Sequence, residues 1–318
     1  MTKELTAPQK VEHNTMFNVE SAPDLDALKA HIAFLGMPFG SPYRRNEFTN
    51  DQSNAPAAIR KASVRTMRAG ERYDFDIGGP FLLGRDDIRL VDCGDVIGDL
   101  SVEEHYRRAE SATRKILAAG AVPIVLGGDH GITTPILRAF DREPQPITLI
   151  HVDQHLDWRE EVNGVREGYS SPIRRASEMA HVRDIFQIGL RAQGSARLEE
   201  FEAATAYGAN LISAYEVHEA GIDAVLARIP DGGHYYITID ADGLDPSEMP
   251  AVNAPAPGGL TFVQVRRLIH GLVGKGRVVG MDIVEIQPSR DVNEISSIIA
   301  GRLALNFIGA GIRAGYFG

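Results

Sequence analysis

The chain has 318 residues, 43% of them hydrophobic and 24% charged, a balance that excludes a disordered, collagen-like or disulfide-stapled protein. Cys93 is the single cysteine, so no disulfide forms within the chain, which suits a reducing compartment. With 33 basic against 43 acidic residues the net charge is −10, so a surface built to neutralise nucleic-acid phosphates is not expected.

Residues 1–11 mix Lys3, Glu4 and Lys10 with polar residues and lack the apolar run of a secretory signal. A first apolar run, 31–37, reads as a strand buried on both faces, and a second follows at 88–93. Asp95 and Asp99, just beyond it, read as turn residues. Between the two runs, residues 43–57 carry Arg44, Arg45, Asn46, Asn50, Asn54 and Pro56 without clear periodicity. A helix is predicted over 102–119, where Val102, Tyr106, Ala109, Thr113, Ile116 and Leu117 share one stripe and Gly120 stops it. Further strands are predicted at 123–126, 147–152, 185–189, 234–239 and 278–284. A second helix spans 261–274, with Thr261 as N-cap and Phe262, Val265, Leu268, Ile269 and Leu272 inward. The last segment, 295–316, is apolar enough for core or interface. Ser296, Ser297, Arg302 and Asn306 break it, and no stretch has the roughly 18 uninterrupted apolar residues of a membrane span. A soluble cytoplasmic protein is expected. Strands alternating with helices imply an α/β fold with a mostly parallel sheet covered on both faces.

Ligands collect beyond the carboxyl ends of such strands, so polar residues that close an apolar run invite a functional reading. Three runs close in acidic clusters: 123–126 enters Gly127-Gly128-Asp129-His130, 147–152 enters Asp153-Gln154-His155-Leu156-Asp157, and 234–239 enters Asp240-Ala241-Asp242-Gly243-Leu244-Asp245-Pro246. If these strands are parallel, Asp153, Asp157, Asp240, Asp242, His130 and His155 meet at one rim. Such a density of buried carboxylates is tolerable only with cations among them. Mixed carboxylate and imidazole donors suit Mn²⁺, Fe²⁺, Ni²⁺ or Zn²⁺ better than Ca²⁺ or Mg²⁺, and six donors suit two ions roughly 3.5 Å apart better than one. In an extended run alternate residues point the same way, so Asp153 and His155 converge while Gln154 faces elsewhere; Asp240 and Asp242 repeat the relation. Gly127 and Gly128 are expected to turn the backbone and aim His130 inward. Asp129 and Asp245 read as capping and turn residues, His151 as a satisfied strand histidine, and Asp282 as structural.

These motifs, with Pro257-Gly258-Gly259-Leu260 and Gly280-Met281-Asp282-Ile283-Val284-Glu285, resemble those of the ureohydrolases, which include arginase, agmatinase and guanidinobutyrase. The resemblance covers roughly residue 33 to the C terminus. It implies a three-layer αβα sandwich, with an N-terminal extension over 1–30 and a single domain over 31–318, that hydrolyses a guanidino compound to urea and an amine with two divalent ions. By family habit these are Mn²⁺ first, with Ni²⁺ as the other candidate. It assigns one ion to His130, Asp153, Asp157 and Asp240 and the other to Asp153, His155, Asp240 and Asp242, with Asp153 and Asp240 bridging. A bridging hydroxide would attack the guanidinium carbon, Asp157 would take up its proton, and Glu285 would bind the guanidinium, as a carboxylate accepting paired N–H bonds can. A homo-oligomer, trimer or hexamer, is the family's habit, and a hetero-oligomer is the other option.

Where the family usually carries a histidine, this sequence reads Gly168-Tyr169-Ser170-Ser171-Pro172, so Tyr169 or Ser170 takes that place. A tyrosine near pKa 10 is a poor proton shuttle at pH 7. Val252-Asn253-Ala254-Pro255 also departs from the family's loop, and Gln154, Leu156 and the single tryptophan, Trp158, alter the second motif. Asn253 and Trp158 join Tyr169 and Ser170 as candidate substrate contacts. Arg44 or Arg45 is a candidate for a substrate's carboxylate tail, the alternative being two solvated arginines in a surface loop. A compact or N-alkylated guanidine, free guanidinium or an ω-guanidino acid then fits as well as agmatine. Two rivals stand beside this reading: a formimino-group or other C–N hydrolase of the same fold, and a catalytically silent partner subunit, against which the retention of all six donors counts.

Overall fold

Short runs of Val, Ile and Leu, apolar on both sides of the pleat, can only be satisfied between two helical layers, and they form the centre of the molecule. The structure is a computed structural model and describes residues 6–7, 14–40, 43, 50–67, 70–98, 101–193 and 196–317. The strands are β1 (Thr6–Ala7), β2 (Glu20–Ser21), β3 (Ile32–Gly36), β4 (Leu90–Val96), β5 (Val122–Leu126), β6 (Ile147–Val152), β7 (Val182–Leu190), β8 (Asn210–Ser213), β9 (His234–Asp240) and β10 (Arg277–Val284). They join in a 10-stranded sheet ordered β1-β4-β3-β5-β10-β9-β6-β7-β8, with β2 also on β4. Of the pairings described within this sheet, only β1–β4 is antiparallel. β10 and β9, late in the chain, are inserted between β5 and β6.

Alternation along each strand divides the core in two. Ile124 and Leu126 of β5, Ile150 and Val152 of β6, and Met281 and Ile283 of β10 face one layer. Val125, Leu149 and Val284 of the same strands face the other. The first layer holds α1 (Ala55–Met67), α6 (Ala214–Ala220), α7 (Ile222–Arg228), α8 (Phe262–Lys275) and α9 (Ile295–Arg313), and the second α2 (Val102–Ala118), α3 (Thr133–Arg138), α4 (Pro172–Ala176) and α5 (Leu198–Tyr207). This is the expected αβα sandwich.

All seven strands and both helices predicted from the sequence are present, with ends shifted by a few residues. Thr261 caps α8 in a capping box with Gln264, accepting from its N–H at 3.2 Å. β8 is too short to read from four residues, and α1 lacks a clean apolar stripe because Arg60 and Ser63 on its inner face are buried and polar. Arg60 donates to both carboxylate oxygens of Asp92 on β4, at 2.8 and 3.0 Å, and to Asp95 at 2.5 Å. Asp95 is therefore a strand residue with a buried partner, not a turn residue; Asp99 lies outside the described residues. α9 is apolar and long enough to cross a membrane on length alone, but most of it is buried in this chain, packed on α1 and α8.

Candidate metal centre

Four neighbouring strands, β5, β10, β9 and β6, end at one rim. His130 follows β5, Glu285 follows β10, Asp240 closes β9 with Asp242 in the turn beyond it, and Asp153, His155 and Asp157 follow β6. The Gly127-Gly128 pair serves close approach rather than an unusual turn: a Cβ on Gly128 would lie 1.8 Å from the Phe39 carbonyl oxygen. Asp129 accepts from the Gly131 N–H at 3.0 Å, capping the turn that carries His130. Asp157 and Glu285 sit in left-handed backbone, at φ 50° and 65°. For residues with a Cβ this costs energy, and the surrounding structure must hold it.

The donor atoms fall into two groups that share one carboxylate. The Nδ1 of His130 lies 3.2 Å from Asp153 Oδ2, 3.1 Å from Asp157 Oδ2 and 3.1 Å from Asp240 Oδ2. The Nδ1 of His155 lies 3.4 Å from Asp153 Oδ1 and 3.2 Å from Asp242 Oδ2. Asp153 thus turns one oxygen to each imidazole. Asp240 turns Oδ2 to His130 and takes the Asp242 N–H on Oδ1 at 2.9 Å, so it adjoins the second group through the backbone of Asp242.

A layer of hydrogen bonds behind these donors orients them. Thr238 Oγ1 donates to Asp282 at 2.6 Å and so receives the Nε2–H of His130 at 2.9 Å, leaving the His130 Nδ1 lone pair aimed at the carboxylates. Asp282 also accepts from Thr133 and Tyr236, a structural role as expected. His151 is fully buried; Gln187 donates to its Nδ1 at 3.1 Å and its Nε2 faces Asp153 Oδ2 at 2.8 Å. Both ring nitrogens are satisfied. Although His151 falls within 4.8 Å of the His130, Asp153 and Asp157 donor atoms, it is a strand histidine that also steers Asp153.

A cavity of about 120 Å³ opens on this rim, lined by His155, Asp157, Tyr169, Ser170, Asp240, Asp242, Asn253, Ala254 and Glu285. The structure therefore gathers Tyr169, Ser170, Asn253 and Glu285 around the donor groups. It does not bring Trp158 there: the indole is buried in the core against Tyr207, where an apolar ring is held by packing. Arg44 and Arg45 lie outside the described residues. Gln154, expected to face away, instead turns its amide into the site and donates to Asp242 Oδ2 at 2.9 Å and to the Ala254 carbonyl. Strand alternation fails for Gln154 because β6 has already ended at Val152.

Two further contacts had no motif to mark them. Gln52, from the segment before α1, donates to Glu285 Oε2 at 2.9 Å, while the His130 N–H donates to Oε1 at 2.8 Å. The Tyr43 hydroxyl accepts from the Ser170 N–H at 2.7 Å, and its ring lies 4.4 Å from that of Tyr169. Each joins positions more than a hundred residues apart, which no spacing records.

The electrostatics are those of a cation site. Burial and the facing charges of Asp242 and Asp153 push Asp240 up. Against the desolvation that opposes it, hydrogen bonds to Asp153 and Asp242 push His155 up to about 12. Burial raises Glu285 to about 7, with the Gln52 amide opposing. No lysine or arginine among the described residues forms an ion pair with Asp153, Asp157, Asp240 or Asp242. Four buried carboxylates and two oriented imidazoles fit a pair of divalent ions, His130, Asp153, Asp157 and Asp240 for one and Asp153, His155 and Asp242 for the other.

A parallel α/β sheet carrying two such donor groups with a shared aspartate fits a binuclear metal centre. The model of the Arginase family matches residues 30–309, and the chain belongs to that family. It is 33% identical over 295 residues to a guanidinobutyrase of Pseudomonas aeruginosa, covering 90% of this chain and 87% of that one. It is 31% identical over 298 residues to the mitochondrial agmatinase of Gallus gallus, covering 91% of this chain and 82% of the other. Among solved structures, proclavaminate amidino hydrolase from Streptomyces clavuligerus superposes with a TM-score of 0.82 at 26% identity, covering 95% of this chain and 97% of that one. The chain is thus a ureohydrolase of the Arginase family, a hydrolase of linear amidines.

Proposed function

We propose that the chain cleaves a small guanidino compound, a free or alkylated guanidine or a short guanidino acid, into urea and an amine, with Mn²⁺ as the first candidate metal and Ni²⁺ as the second. The observation that carries this reading is Asp153, fully buried and turned by its two oxygens toward His130 and His155. Two divalent ions held there supply a water-derived nucleophile at neutral pH and a Lewis acid. The side chains do the rest. Glu285 is fixed by Gln52 and His130 on separate oxygens, and each oxygen keeps a lone pair free for a guanidinium N–H. Asp157 lines the same cavity, which supports its role as the group that would accept a proton from the nucleophile and return it to the departing amine. Tyr169, Ser170 and Asn253 form the wall toward the substrate's substituent.

The test is urea release from a panel of guanidino compounds by protein loaded in turn with Mn²⁺, Ni²⁺, Co²⁺ or Zn²⁺, alongside Asp153→Ala. Turnover of one compound by the parent, lost together with bound metal in the variant, is expected. Silence across the panel from protein that holds two ions per chain would overturn the reading.

A further inference from the structure

Gln154 is buried between the second donor group and the cavity wall. Its Nε2 donates to Asp242 Oδ2 at 2.9 Å, the same oxygen that lies 3.2 Å from His155 Nδ1, and also to the Ala254 carbonyl, and it sits 3.3 Å from His155 Nε2. An amide nitrogen has two hydrogens, and here both are used. One is on a candidate ligand atom, the other on the segment that carries Asn253 and Ala254 into the cavity wall.

Arg191 frames the same region from below. Its buried guanidinium donates to the carbonyls of Asp242 at 2.7 Å, Leu244 at 3.2 Å and Ala256 at 2.9 Å. Arg191 ties the two backbones together whatever the charge on the carboxylates. Gln154 differs because it reaches the carboxylate oxygen itself, so its bond answers to what that oxygen faces.

We infer that Gln154 is a positioning residue that couples occupancy of the His155–Asp242 ion position to the order of the cavity wall at residues 253–256. With Gln154 holding Oδ2 in place, an ion at His155 and Asp242 finds the carboxylate already oriented, and the amide is thereby held on Ala254. The coupling is reciprocal: a ligand that orders the wall tightens the ion. The inference rests on the proposed binuclear site but not on the identity of the substrate or on turnover.

Two variants test it. Gln154→Ala removes the amide, and Gln154→Met removes the donor while keeping the length, so that loss of packing is separated from loss of the hydrogen bond. Mn²⁺ binding is titrated calorimetrically on the full chain, and hydrogen exchange of the peptide spanning 251–257 is followed with and without Mn²⁺. In the parent, two ions bind and the second slows exchange at 251–257. In both variants one ion is expected to weaken by about 10- to 100-fold, the range for partners that orient metal ligands, while the other is unchanged and Mn²⁺ no longer slows exchange at the wall. Parent-like affinities for both ions with exchange still metal-dependent in Gln154→Met would overturn the coupling. Equal weakening of both ions would overturn it as well, by assigning Gln154 a general structural role. Failure of the parent to bind a second ion would instead sink the binuclear reading, and the coupling with it, a result distinct from a Gln154 variant that leaves two-ion binding intact.

Discussion

In the proposed reaction, Glu285 is the residue that captures the substrate. It leaves β10 in left-handed backbone, which swings its carboxylate back over the cluster, and Gln52 and the His130 N–H hold its two oxygens. Glu285→Gln keeps the shape but removes the negative charge and one acceptor oxygen that the ionised carboxylate offers a guanidinium. Charge-assisted bonds to a guanidinium contribute about 1.5–3 kcal/mol, so kcat/KM is expected to fall by about 10- to 100-fold, mostly through KM, with both ions retained. Steady-state kinetics alongside metal analysis check this; unchanged kcat/KM removes Glu285 from substrate binding. At this scale the sequence exposed the donors and concealed what orients them. His130, Asp153, His155, Asp157, Asp240 and Asp242 stand in short acidic motifs at strand ends, so residue type and position name them. Gln52, Tyr43 and Gln154 are polar residues without a pattern, and their partners come from distant segments. Trp158 misled because a lone tryptophan beside a motif is conspicuous for reasons that core packing satisfies equally well.

The elements were legible in proportion to how plainly burial writes itself in composition. Strands covered on both faces are short unbroken apolar runs, and β3, β5, β6, β9 and β10 are readable as such. α2 and α8, with one wet face, show a helical stripe. α1 hides because its buried face carries Arg60 and Ser63, which pair with Asp92 and the Phe17 N–H. α9 hides because nearly all of its surface is covered, leaving no polar stripe to set a period. Capping is where local sequence acts most directly. Thr261→Ala removes the side-chain acceptor for the Gln264 N–H and should lower stability by about 1 kcal/mol. Urea unfolding would show this as a lower midpoint at unchanged slope, and an unaltered midpoint would mean that packing alone holds the start of α8.

Across the whole molecule, charge buried away from the rim sets part of the response to pH. His270 on α8 donates Nε2–H to Asn306 of α9 at 2.9 Å. Desolvation lowers its pKa below 6.5, with nearby Arg266 and Arg313 acting the same way and Asp76 and Asn306 opposing. The folded state therefore binds fewer protons than the unfolded chain just below pH 6.5. Its contribution is full above that pH and declines as pH falls toward the depressed folded value. The stability advantage of the parent over His270→Gln should be larger at pH 7.5 than at pH 5.5 in parallel urea titrations; a difference independent of pH would exclude His270 as a source of the slope. The αβα architecture was legible from the alternation of runs, and the convergence of three motifs followed once the strands were taken as parallel. The strand order was not legible, because nothing in a local window says that β9 and β10 will separate β5 from β6.

That insertion has a consequence for how the molecule comes into being. Until residues 234–284 exist, β5 and β6 each present an unpaired edge at what becomes the middle of the sheet, and such edges invite pairing with other chains. During synthesis the two halves, β3–β5 on one side and β6–β8 on the other, have to wait apart for the last two long strands. The strands that lead into His130 and Asp153 are joined only through β9 and β10, so the site is complete only when the sheet is closed by the chain's final third.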